Sequence, residues 1–232
     1  MKKIAHIILF GALGFGGGIL ALHLFSFGYI EKFLIEGRSE LVPIELVETR
    51  EITIRDNEAI VSAVERIQRA VIGVKSPRTE GSGVIVSSDG LVVTLASLVP
   101  AGADFSFYIN GTALPYEVQK RDLVNNLALI KVEGSGLPTL EFSPANGPKN
   151  GERVFLIGTI FDNEDNIIKS VNEGIVKRVE GNRIMTNIFE EKRLDGSTLF
   201  DIEGRVVGIN SVAPDGRVTA VPISTIREFV GL

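Results

Sequence analysis

From Ala70 onward the sequence consists of short runs rich in Val, Ile and Thr, separated by turn residues, and this pattern restricts the possible folds most strongly. Asn110-Gly111 and Ser88-Asp89-Gly90 each separate two such runs, as expected for hairpins. About a dozen short strands without intervening helices predict antiparallel barrels or a sandwich. The predicted strands are Val71–Val74, Gly83–Val86, Leu91–Leu95, Phe105–Ile109, Thr112–Val118, Leu127–Val132, Val154–Ile157, Ile167–Val176, Arg183–Thr186, Arg205–Asn210 and Val218–Val221.

Two helices are expected to flank these strands. Apolar residues at Ile60, Val64, Ile67 and Val71 recur at helical spacing and predict a helix over about 57–69. A second helix is predicted over 223–231, after Pro222 and with Ser224 as its cap. Between the strands, the Pro- and Gly-rich stretch 142–151 divides them into two units, about 70–140 and 150–222.

The N-terminal stretch Ile4–Phe27 carries no Asp, Glu, Lys or Arg. A helix of that length spans about 36 Å, enough to cross a hydrocarbon core of roughly 30 Å. Lys2 and Lys3 precede it, so residues 1–30 are predicted to be a single-pass signal anchor with a cytoplasmic N-terminus. Residues 31–56 are then a juxtamembrane linker, and the remainder of the protein is extracytoplasmic. Gly14 and Gly18 form a small-xxx-small pair that would allow two such helices to approach closely.

The charge balance beyond residue 30 excludes several functions. All 29 acidic residues lie there, together with every Lys and Arg of the 24 except Lys2 and Lys3. The net charge of this region is therefore −7. This balance argues against nucleic-acid binding, which needs a basic surface.

The sequence has no cysteine, and its two histidines, His6 and His23, lie in the apolar stretch, so neither a zinc site nor another metal site or cofactor is expected. The oxygen-rich run 162–166 lacks the spacing of a calcium loop and is interpreted as solvated.

Several runs, in order along the sequence, resemble the Deg/HtrA family of trypsin-like serine proteases. These runs are Gly81–Val86, Asp89–Thr94, Asn126–Val132, Gly151–Val154, Ile157-Gly158, Gly174–Val176, Gly204–Ser211 and Ala220–Pro222. The resemblance implies an all-β fold of two six-stranded antiparallel β-barrels within a domain over 57–232, preceded by the transmembrane helix and a short helix. It also suggests a homo-oligomer, a trimer in the family. Because the sequence stops at Leu232, the family's PDZ domain is not expected.

The positions that carry catalysis in the family differ here. Ser97 stands at the position of the histidine base, Asn126 at that of the acid, and Asp195 at that of the serine nucleophile. Arg193 replaces the glycine two residues before the nucleophile, which helps to form the oxyanion hole. The resemblance therefore implies a degenerate protease that acts as a binding or scaffolding module for a protein or an extended peptide.

The alternative hypothesis is an active serine endopeptidase with an unconventional site. A two-residue slip in the alignment would make Ser197 the nucleophile, with Lys131 or Lys192 as its base. Such a Ser-Lys pair requires a desolvated lysine with a lowered pKa. A carboxylate pair between Asp195 and Asp201 or Glu203 is a weaker alternative for acid–base chemistry.

Overall fold

The computed structural model describes residues 18, 21–23, 58–164 and 166–231. The predicted linker 31–56 and nearly all of the predicted membrane segment Ile4–Phe27 lie outside these residues. Gly18 and residues 21–23 are helical. Among the described residues, no helix has the length and apolar character needed to span a membrane.

The domain begins with a helix, α1 (residues 58–67), which continues into a 3₁₀ turn at Gln68–Ala70 and matches the predicted helix in position. It ends with α2 (Ile223–Val230), which buries Ile226 and Phe229 and stops at Gly231. The proposed Ser224 cap is wrong: Pro222 occupies the N-cap, without a side-chain hydrogen bond. The strands between are β1 Val71–Lys75, β2 Glu80–Ile85, β3 Leu91–Leu95, β4 Ser106–Ile109, β5 Thr112–Leu114, β6 Tyr116–Asp122, β7 Leu127–Val132, β8 Arg153–Phe161, β9 Ile167–Glu180, β10 Arg183–Phe189, β11 Thr198–Asp201, β12 Val206–Val212 and β13 Arg217–Pro222.

The first half is a seven-stranded antiparallel sheet in the order β5-β4-β1-β2-β3-β7-β6. The predicted six-stranded barrel is therefore wrong for this half: among the described residues, β5 and β6 form the two edges of the sheet. The reason lies at Pro115, which has no N–H to donate and divides the predicted strand Thr112–Val118 into β5 and β6. The two pieces pair with different neighbours, β4 and β7.

The second half confirms the predicted six-stranded barrel. It closes in the order β10-β13-β12-β11-β8-β9, so that every strand has two neighbours. The sequence pattern predicts no strand at β11, because all four of its residues are buried and the alternation that marks a half-exposed strand is absent. β11 pairs with β8 and β12. It follows the loop that contains Asp195 and leads directly into the barrel.

One of the two buried apolar clusters spans both halves, and the other lies within the barrel. Phe155 and Phe200 of the barrel stack with ring centroids 5.4 Å apart and belong to the same buried cluster as Ile72 and Ile130 of the sheet. A buried hydrogen-bond group crosses this junction: Ser82 Oγ and Thr159 Oγ1 are 3.1 Å apart, and Thr159 N–H donates to Ser82 Oγ. Because these polar groups satisfy each other, they fix the relative position of the halves without leaving an unpaired donor.

Candidate functional site

The first half contributes Ser97 and Asn126, which the structure brings together. Ser97 lies in the 3₁₀ turn Ala96–Leu98 that follows β3, and Asn126 precedes β7 with φ 56°. Ser97 N–H donates to Asn126 Oδ1 (2.9 Å), and Asn126 Nδ2 donates to Ser97 Oγ (3.2 Å). Neither the hydroxyl of Ser97 nor the side-chain amide of Asn126 accepts a proton readily near neutral pH. This pair therefore holds a loop in place and offers no general base.

The second half contributes Asp195, whose carboxylate is directed into the protein. Its side chain is 4% exposed; Oδ2 lies 2.6 Å from Lys192 Nζ, and Oδ1 accepts the Val212 N–H at 2.7 Å. Lys192 Nζ also donates to the Val212 carbonyl at 2.7 Å. A carboxylate whose two oxygens are bonded to a lysine and to a backbone N–H in this way is not presented to a substrate.

Ser97 and Asp195 line the same cleft, of about 300 Å³, between the two halves. Two loops complete it: the β1–β2 loop, and the 3₁₀ turn Lys192–Leu194. Its lining includes Arg78, Glu80, Ser97, Lys192, Arg193 and Asp195. Sequence reasoning did not assign a role to Arg78 or Glu80, because residues 76–79 carry only the signature of a turn.

One of the two backbone amides that would form an oxyanion hole, that of Asp195, is already used, and the amides on either side of it are bonded as well. Asp195 N–H donates to Lys192 O (3.0 Å) and Leu194 N–H donates to Glu191 O (2.9 Å). Gly196 N–H donates to Asn210 O (2.9 Å). Oxyanion stabilisation requires free donors aimed at the developing charge. This loop therefore has the hydrogen bonding of a closed turn, and the Arg193 guanidinium extends from it to Glu191.

Ser197, the alternative nucleophile, is fully buried. Its Oγ lies 3.0 Å from Asn210 Nδ2. Of the two candidate bases, Lys192 is bonded to Asp195, and Lys131 donates to Asp89 Oδ2, which holds the pKa of that carboxyl at about 2. Within the described part of the protein, no hydrogen bond connects either lysine to Ser197.

The remaining carboxylates serve local structure. Asp201 binds the guanidinium of Arg205 at 2.7 Å and caps its own turn. Asp162 accepts the N–H groups of Glu164 and Asn166, and the hydrogen bonds from Asn166 lower the pKa of its carboxyl. Residues 58–164 and 166–231 contain no group of three or more side chains arranged to hold a metal ion.

The chain belongs to the family of trypsin-like peptidase domains, whose sequence pattern matches residues 81–209. Its relatives narrow this assignment to the Deg/HtrA type. It is 32% identical over 139 residues to a probable periplasmic serine endoprotease DegP-like of Halomonas elongata, which covers 58% of this chain and 29% of the relative. A protein of the same name from Ectopseudomonas mendocina is 34% identical over 140 residues (56% and 29%).

A human relative covers a larger share of the sequence. Serine protease HTRA4 of Homo sapiens is 27% identical over 198 residues, which is 76% of this chain and 42% of the human protein. The matched region is therefore less than half the length of each of these three relatives. The comparisons confirm the trypsin-like, Deg/HtrA-type assignment that the ordered sequence runs predict.

Proposed function

We propose that this protein is a non-proteolytic Deg/HtrA homologue that binds an extended peptide or a protein segment in its cleft. The observation that carries the proposal is the burial and ion pairing of Asp195, at the position that the family resemblance assigns to the nucleophile. A serine hydroxyl also needs a neighbouring base, and both histidines of the protein lie before residue 31, outside the domain.

The size of the expected loss of catalytic turnover supports this proposal. In a serine protease, replacing only the acid by Asn lowers turnover by ~10⁴, because the imidazole takes the wrong tautomer. Here the imidazole itself is missing, and the amide of Asp195 is bonded to Lys192 O. An active site at Ser197 has no supporting contact, since its hydroxyl is buried against Asn210.

The proposal places the cleft outside the cytoplasm, on a domain tethered by the apolar segment Ile4–Phe27. The absence of charge in that segment, with Lys2 and Lys3 before it, supports a single span with a cytoplasmic N-terminus. Two of the relatives carry the word periplasmic in their names. The pair Gly14 and Gly18, together with the family resemblance, supports a homo-oligomer, for which the trimer is the first hypothesis.

The full-length protein should leave an unfolded substrate such as casein intact and should not react with a fluorophosphonate probe. The Ser197→Ala variant should behave identically in both assays. Cleavage or labelling by the wild type that disappears in Ser197→Ala would contradict the proposal and establish the endopeptidase alternative. Binding is measured separately, as the fluorescence anisotropy of labelled peptides.

A further inference from the structure

The groups that line the cleft are mostly hydrogen-bond donors and cations, although the region beyond residue 30 carries a net negative charge. The geometry points to a site that anchors a peptide through a carboxylate group. This inference rests on the proposed peptide binding and names the chemistry by which the cleft would recognise its ligand. The carboxylate could come from the C-terminus of the peptide or from one of its Asp or Glu residues.

Lys192 is held in place to meet such a group. Its ammonium has three N–H donors. Two are directed at Asp195 Oδ2 and the Val212 carbonyl, which fixes the lysine without occupying the third donor. The side chain remains 67% exposed and lines the cleft. Because Lys192 is already ordered, a ligand would lose less conformational entropy by binding to it.

Arg78 supplies the second charge, from the β1–β2 loop. The loop is fixed by Ser76 Oγ, which accepts the N–H groups of Arg78 (3.3 Å) and Thr79 (3.0 Å). Among the described residues, no carboxylate forms an ion pair with the Arg78 guanidinium. The Arg78 guanidinium can therefore bind a carboxylate with two parallel hydrogen bonds.

Ser97 adds a hydroxyl to the cleft. Its oxygen accepts from Asn126 Nδ2, so its hydrogen can be donated to a ligand.

The two carboxylates that line the cleft are each ion-paired with one of its cations. Asp195 is covered, and Glu80 lies 3.9 Å from the Arg193 guanidinium. The Val212 N–H donates to the Asp195 carboxylate, and the Val212 carbonyl accepts from Lys192. The next N–H, that of Ala213, donates to Arg217 O of β13. A peptide therefore cannot add to this end of β12 as a strand unless Lys192 and Asp195 move. Charge, and not backbone pairing, is left as the means of recognition.

The experiment uses the full-length protein and four pools of decapeptides that carry an uncharged fluorophore and whose random positions exclude Asp and Glu. The pools carry a free C-terminus or an amidated one, each with a fixed central Glu or Gln. We expect the pools with a carboxylate to bind about tenfold more tightly than the amidated Gln pool, with the difference decreasing as salt is added. A preference for the free C-terminus identifies the peptide end as the source, and a preference for Glu identifies a side-group carboxylate.

The variant Arg78→Gln should reduce the preference for a carboxylate, measured as the affinity ratio between the carboxylate pools and the amidated Gln pool, by roughly fivefold. Arg178→Gln is the matched control, because Arg178 is also exposed but pairs with Glu180 on β9, outside the cleft. Equal binding of all four pools, unaffected by Arg78→Gln, would overturn the carboxylate inference while peptide binding stands. Binding of none of them would overturn both proposals.

Discussion

The two sides of the cleft hold the residues that the family resemblance assigns to catalytic positions, and the two sides are constructed differently. On the side of the sheet, Ser97 is exposed and Asn126 is half-buried, and both hold one loop. On the side of the barrel, Asp195 is buried and bonds both a lysine and the backbone of β12. The exposed Ser97 has little effect on folding. The buried Asp195, by contrast, makes contacts on which the folded structure depends.

The largest expected effect concerns Gly196, next to Asp195. Its φ is 76°, and a Cβ there would lie 2.1 Å from the Ser82 carbonyl oxygen, a backbone atom that cannot move aside easily. We expect Gly196→Ala to lower the free energy of unfolding by more than about 3 kcal/mol, measured by urea denaturation. Gly102→Ala is the control, because φ is 74° there but the added Cβ meets nothing within 4 Å, and it should cost only about 1 kcal/mol. Equal losses would show that the loop does not pack on β2.

Asp195 itself tests the contrast between the two sides directly. Asp195→Ala removes the acceptor of the buried Val212 N–H and the partner of Lys192, and we expect a loss of about 2–3 kcal/mol in unfolding free energy. Ser97→Ala, on the other side, should change it by less than about 0.5 kcal/mol. Similar values for the two variants in thermal or urea unfolding would remove the distinction drawn above.

A half-buried lysine links the halves and makes stability depend on pH. Lys169 of β9 donates to the Val71 carbonyl of β1, and its burial lowers its pKa from 10.5 to about 8. Between these two values the unfolded protein binds more protons than the folded one, so stability should rise as the pH increases from 8 toward 10.5. We expect a gain of about 2 kcal/mol that Lys169→Met lacks. The difference between the two unfolding curves, measured across roughly pH 7–10.5, isolates this residue; parallel curves would contradict the assignment.

The smallest effect is expected at Ser197. Ser197→Ala leaves Asn210 Nδ2 without its acceptor in a buried place and should cost about 1 kcal/mol of unfolding free energy. Peptide binding should not change, because Ser197 is buried and is absent from the cleft lining. Thr159→Ser, which retains a hydroxyl at the junction, provides a matched buried substitution for comparison. A loss of peptide binding in Ser197→Ala would place this hydroxyl in the cleft after all.

Much of the barrel could be predicted from sequence because local signals were strong there. Short runs rich in Val and Ile predict strands at the positions of β8, β9, β10, β12 and β13, and the ordered runs identify the family. The open sheet was missed because one residue, Pro115, decides the pairing of two edge strands, and pairing is not a local property. β11 was missed because complete burial removes the alternation on which strand prediction depends.

For the cleft, the sequence by itself predicts which residues stand at the family's three catalytic positions, and it shows that no imidazole is available beyond residue 30. It could not determine that Asp195 turns inward to Lys192 and Val212, that Ser197 is buried against Asn210, or that Arg78 lies in the same cleft as Lys192. These contacts join residues far apart in the sequence, and only the packing of the two halves brings them within hydrogen-bonding distance or into one cleft. Composition fixes which groups can react, whereas burial and the neighbours supplied by the tertiary structure decide which of them meet a ligand.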